Sequence, residues 1–175
     1  MTKLALPLAA ALGTLAVTAA AFDMHSRRIP NPLVIAGVAA GIALQSYLYG
    51  WQGLRASSLG LVVGFALLLP LFLLRGMGGG DVKLMAALGA IAGPINTLVI
   101  FVFTAIFGGV LAAGLILWKG DAGVALRNIG FILSELLHLR APHLSRPDLS
   151  LDSSRSLKLP YAVPIALGCL LFLLL

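Results

Sequence analysis

An all-α protein that crosses a membrane several times is the fold class this sequence predicts. Three observations carry the prediction. Of 175 residues, 60% are apolar and only 10% are charged. The mean hydropathy is +1.05, and a soluble domain could not hide that much apolar surface. The apolar runs are long, unbroken by the alternation of a β-barrel, and separated by short basic loops. Residues 1–175 therefore read as a single integral-membrane domain.

Six spans are expected in order: Leu4–Phe22, Leu33–Tyr49, Ser57–Leu74, Asp81–Ala92, Asn96–Trp118 and Leu159–Leu175. Pro30 and Pro32 stop the first and force a turn. Asn31 is expected to cap the second, with Pro32 at its first position. The fourth is short, closed by Gly93-Pro94, and reads as tilted, half-buried or re-entrant. Between the fifth and sixth spans lies a cytoplasmic loop, residues 119–158. Within it, Val124 to Leu139 sets Arg127, Asn128, Ser134, Glu135 and His138 against an apolar face, which predicts an amphipathic helix at the interface or against the bundle. Residues 140–157 read as a surface loop.

Residues 1–21 also carry features of a secretory signal, with Lys3 ahead of an apolar run and Ala19-Ala20-Ala21 as a small-residue site. The run is longer than a usual signal core, and cleavage would leave Arg27 and Arg28 outside. It is therefore read as a first span. With the N-terminus outside, the cytoplasmic side receives Arg27, Arg28, Arg75, Lys83, Lys119, Arg127, Arg140, Arg146, Arg155 and Lys158. Only Lys3 and Arg55 remain on the other side. Such asymmetry sets orientation. It also explains the net charge of +6 without nucleic acid as a partner.

Two of the six acidic residues stand at the edges of apolar spans: Asp23 at the end of the first and Asp81 at the start of the fourth. By the orientation above, both face the cytoplasm. Ionisable groups at membrane depth are costly and mark function, and two carboxylates that meet can activate a water. Taken singly, Asp81 could merely cap its helix and Asp23 could pair with Arg27 four residues on. The helix dipole opposes charge on Asp23 and favours it on Asp81. Asp23 is thus expected to hold the proton of the pair and Asp81 the charge. Gly78 and Gly80 are expected to supply positive φ or a close backbone approach. His25, His138 and His143 lack metal-ligand spacing. Ser26 has no adjacent base, and Cys169 is the sole cysteine, so neither a disulfide nor a paired-cysteine metal site is expected.

Asp23 with Arg27-Arg28-Ile29-Pro30-Asn31 resembles the first catalytic motif of bacterial type IV prepilin peptidases. Gly78-Gly79-Gly80-Asp81-Val82-Lys83-Leu84 is similar to their GxGD motif, and Lys158-Leu159-Pro160-Tyr161, with Pro164, resembles their last block. The matches fall in order along nearly the whole chain, and the small size resembles the peptidases of tight-adherence (Flp) pilus systems. The resemblance implies an aspartic endopeptidase of the bacterial inner membrane. Such enzymes cut a basic leader from prepilins on the cytoplasmic face, after a Gly and before the hydrophobic helix. It makes Asp23 and Asp81 the catalytic pair. It gives Gly78, Gly80, Lys83, Arg27, Pro30, Asn31, Lys158, Pro160 and Tyr161 roles in substrate binding or in the site loops. It implies no cofactor or metal. The implied partners are a prepilin with a transmembrane helix, the lipid bilayer and the pilus-assembly machinery. Larger members carry a cysteine-bearing cytoplasmic insertion and methylate the product; this chain has no such insertion, and methylation is not expected of it. Two readings from other classes stand beside this one, a proton-coupled membrane transporter and a non-catalytic subunit of a pilus or secretion machine.

Overall fold

The structure, a computed structural model, describes residues 4–74, 77–119 and 161–175. Among them the secondary structure is entirely helical: α1 (Leu6–Ser26), α2 (Asn31–Leu73), α3 (Gly79–Ala92), α4 (Pro94–Lys119) and α5 (Ala162–Leu174). The expected amphipathic helix, most of the loop over residues 119–158, Lys158 and Pro160 lie outside the described residues. Three helices, Leu6–Ser26, Asn31–Leu73 and Pro94–Leu115, are long and apolar enough to cross a membrane.

Among the described residues the six expected segments appear as five helices, because the second and third run together as the two arms of α2. At 43 residues it would reach about 65 Å if straight, roughly twice the hydrocarbon thickness. It is broken at Gly50, which adopts φ 58° and ψ −134°, a conformation open to a residue without Cβ. Residues 51–56, expected as a loop, continue in helical form. The chain reverses there: a Cβ on Gly53 would run into the Gln45 carbonyl.

Both arms of α2 clasp α3. On the first arm, Gly37 and Gly41 lie against Ala87 and Ala90. On the second, Gly60 and Gly64 lie against Gly89 and Met85. Along α3 one contact series ascends and the other descends, so the arms run antiparallel with α3 between them. At Gly41, Gly60 and Gly64 these are backbone-to-backbone contacts, the close approach that small residues permit between membrane helices. A Cβ on Gly60 would strike the Gly89 carbonyl, and one on Gly89 would strike that of Gly60.

Clasped this way, α3 is buried almost all round, with Leu84, Met85, Leu88 and Ile91 fully enclosed. Its 14 residues span only about 21 Å, too short for a crossing of about 30 Å. It is enclosed by the other helices, as its apolar character on every side suits. Gly93, with φ 80°, ends it, and α4 starts at Pro94. Gln45 on the first arm donates from Nε2 to the Ile91 carbonyl at 2.9 Å. One arm is thereby tied to the last turn of α3.

The remaining helices close the bundle. α5 lies antiparallel to α1: Leu173 reaches Gly13 at one end, and Ala162 meets Asp23 at the other. It is also antiparallel to α4, where Gly168 fits against Thr104 and Pro164 lies beside Gly108. The outward surface is apolar. Ile35, Leu59, Val62 and Phe65 on α2 and Val102, Ile106 and Val110 on α4 are exposed, as lipid contact requires. The end of α1 and the starts of α3 and α5 consequently share one end of the bundle.

Replacing Gly60 or Gly89 by Ala tests the backbone contact. Ala favours a helix over Gly by up to ~1 kcal/mol, yet each variant is expected to lose about 1–3 kcal/mol to overpacking. Gly109→Ala, where nothing lies within 4 Å, should be neutral or stabilising. Thermal unfolding in detergent reads the difference. Equal stability of all three variants would mean that α3 is not in backbone contact with α2.

Candidate active site

Asp23 and Asp81 are brought together at that shared end, and both are buried, with 8% and 7% of their surface exposed. Asp23 lies in the last turn of α1. That helix stops at Arg27, which takes a left-handed φ of 51° and donates its N–H to the Asp23 carbonyl at 2.8 Å. A non-glycine residue in this conformation is uncommon; here it turns the chain into the extended Pro30 that precedes α2. No ion pair forms among the described residues. Arg27 is exposed and serves through its backbone, and the pair with Asp23 that one reading of the sequence allowed is not made.

The Asp23 carboxylate has a different partner. Its Oδ2 accepts the N–H of Ala162 at 3.1 Å. Ala162 is the first residue of α5, so a carboxylate placed against the dipole of its own helix meets the favourable end of another. Backbone amides carry no side-chain signature, and this residue was invisible to sequence reasoning.

Asp81 is the third residue of α3, and the N-cap is Gly78. Asp81 therefore does not cap the helix, as one reading of the sequence allowed; its N–H bonds the Gly78 carbonyl at 3.2 Å. Gly78 has a negative φ of −73°. Among the described glycines only Gly50 and Gly93 have positive φ, so the loop glycines are not used for left-handed backbone. Gly78 gives room instead: a Cβ there would lie 3.1 Å from Asp81 Oδ2. Gly79 abuts the Phe72 ring, and Gly80 faces Ile29. The first turn of α3 thus packs between the end of α2 and the segment after α1.

Burial raises the Asp81 carboxyl, the neighbouring charge of Asp23 raises it further, and its pKa reaches about 7 against the opposing pull of the Gly78 and Asp81 amides. That turns round the polarity expected from helix ends. Desolvation and a like charge outweigh the dipole at the start of α3, and Asp81 is the member inclined to hold the proton.

Asn31 was expected to cap α2, but Pro30 takes that position and no side chain caps the helix. The Asn31 Oδ1 instead accepts from Lys83 Nζ at 3.3 Å, which links the two motifs across the site. Tyr161 is the N-cap of α5. Burial and then the charge of Asp81 raise its phenol above the usual value, so it belongs to the same electrostatic environment. His25 is exposed, and Ser26 spends its hydroxyl on the Phe22 carbonyl at 2.8 Å. Ile29 and Phe72 are further neighbours of the site, and neither has a polar signature that sequence reading could use.

The arrangement is a pair of enclosed carboxyl groups with unlike partners beside a glycine loop. It can take a proton from water at one group and give a proton at the other. A family model described as the type IV leader peptidase family matches residues 10–113, over half of the chain, a stretch that includes both acids. Comparison with curated proteins and with solved structures returned no match. The matched stretch takes in most of α1, the clasp of α2 on α3 and most of α4, and the chain belongs to the type IV leader peptidase family.

Proposed function

We propose that this peptidase removes the basic leader of a type IV, Flp-like prepilin at the cytoplasmic face of the bacterial inner membrane, with Asp23 and Asp81 as an aspartic dyad. The observation that carries the reading is the burial of both carboxyl groups at one end of the bundle, with Asp81 pushed up to about 7 by burial and by Asp23. A pair sharing one proton is the state an aspartic mechanism requires.

In this mechanism the anionic Asp23, one oxygen held by the Ala162 N–H, takes a proton from a water. The water oxygen bonds the scissile carbonyl carbon, and protonated Asp81 donates to the carbonyl oxygen. As the tetrahedral intermediate collapses, a hydroxyl proton returns to Asp81, the C–N bond breaks, and the proton on Asp23 goes to the departing amine. Gly78 leaves space beside Asp81 for an extended substrate backbone, since a helical peptide bond shields its carbonyl. The basic side of the protein does not attract a basic leader. Affinity instead comes from packing of the substrate's transmembrane helix against the spans. The N-terminus is outside, and the second arm of α2 counts as a crossing of its own.

Purified protein incubated with a prepilin should cleave it, and Asp23→Asn and Asp81→Asn should each lower the rate by at least about 10²-fold. Cleavage at the wild-type rate by either variant would rule out the dyad. A transporter or an assembly subunit predicts no cleavage by the wild type.

The pH dependence follows from the direction of the Asp81 shift. Its acid form is the active one, so cleavage should decline as pH rises through about 7. Asp23→Asn removes the second cause of the shift and leaves burial, the larger one. In carboxyl ¹³C NMR the Asp81 midpoint should then fall yet stay above an ordinary aspartate. An unchanged or higher midpoint would exclude Asp23 as a source of the shift.

A further inference from the structure

Peptide hydrolysis makes a demand that two carboxyl groups do not fully meet. As water adds, negative charge builds on the carbonyl oxygen, and a donor fixed in advance lowers that barrier. Asp81 can serve this oxygen while it is protonated, but it is also the group whose proton is consumed. A donor that keeps its proton throughout would hold the oxyanion independently.

Tyr161 stands where such a donor is needed. It forms the N-cap of α5, and its carbonyl accepts the Ile165 N–H at 3.4 Å. The next N–H in the chain, that of Ala162, binds Asp23 Oδ2. The two-residue unit Tyr161-Ala162 thus has its amide on one acid, and its phenol responds to the charge of the other. Its position is determined by the same contact that orients Asp23. The ring is partly exposed rather than sealed in the core, and the phenol forms no hydrogen bond with another described residue. Burial and Asp81 both favour the neutral phenol, so the O–H persists at the pH of catalysis.

We infer that the Tyr161 phenol is a third catalytic group, which donates a hydrogen bond to the scissile carbonyl oxygen as negative charge builds on it ahead of the proton from Asp81. The inference rests on the aspartic dyad proposed above. The phenol transfers no proton: the bond strengthens as the tetrahedral intermediate forms and weakens as it collapses. The substrate carbonyl would sit between Asp81 and Tyr161, with the attacked carbon facing the water on Asp23.

Tyr161→Phe removes the oxygen and keeps the ring. In prepilin cleavage, kcat should fall about 100-fold, as when one oxyanion donor is lost, with KM changed less than twofold. A peptide analogue bearing a tetrahedral hydroxymethylene in place of the scissile amide should bind Tyr161→Phe about as much more weakly, while the Asp23→Asn protein binds uncleaved prepilin equally well with and without Tyr161→Phe. A thermal melt coincident with wild type shows that packing is intact, and the analogue's affinity for Tyr161→Phe relative to Tyr161→Leu isolates the ring. Wild-type kcat in Tyr161→Phe, or a raised KM with kcat unchanged, would overturn the inference. Failure of the wild type to cleave would strike the dyad instead, so the two failures are distinguishable.

Discussion

The backbone contact between α3 and the two arms of α2 is the constraint on which the rest depends, because α3 carries Asp81 and this contact sets its depth in the bundle. A helix of 14 residues cannot anchor itself at both faces of a bilayer. It is held by glycines at 41, 60, 64 and 89, whose missing side chains let carbonyls and Cα atoms touch. Dispersion contacts at that range are numerous and shape-specific. Sliding α3 along this seam would move Asp81 away from Asp23. The break at Gly50 belongs to the same device, since only a reversed α2 can present glycines to α3 from two sides.

A second interaction crosses the bundle. The Ala162 N–H on Asp23 Oδ2 joins the end of α1 to the start of α5, helices separated by most of the chain. It gives the carboxylate a partner where burial leaves it few. The two acids thereby come to differ. One is addressed by a helix N-terminus, the other is enclosed and faces its neighbour's charge. An aspartic mechanism needs such inequality, because two identical carboxyl groups would have no preferred location for the single proton.

Much of this was legible in the chain itself. The helical membrane class, the stop at Pro30 and Pro32, the short helix closed by Gly93-Pro94 and the pairing of Asp23 with Asp81 at one end all follow from residue type and order. The misreadings have a common cause. Asn31 as a cap and Asp81 as the charged acid were inferred from position along their own helices, as was the alternative of Arg27 as an ion partner. In the fold, Asn31 answers to Lys83, Arg27 to the backbone, and Asp81 to burial and Asp23. The positive φ expected of the loop glycines fell to Gly50 and Gly93 instead, because conformational permission in a sequence does not say where a turn must occur.

The sequence by itself determined that the protein is a bundle of apolar helices with two acids placed at helix ends on one side, since hydropathy and charge order are properties of the chain. Only the tertiary structure decided which acid is more inclined to hold the proton, which amide serves the other, and that α3 is enclosed by its neighbours on nearly every side. The physical reason is that desolvation and through-space charge depend on what surrounds a group in three dimensions. The nearest surroundings of Asp23 and Asp81 come from residues far away in the sequence.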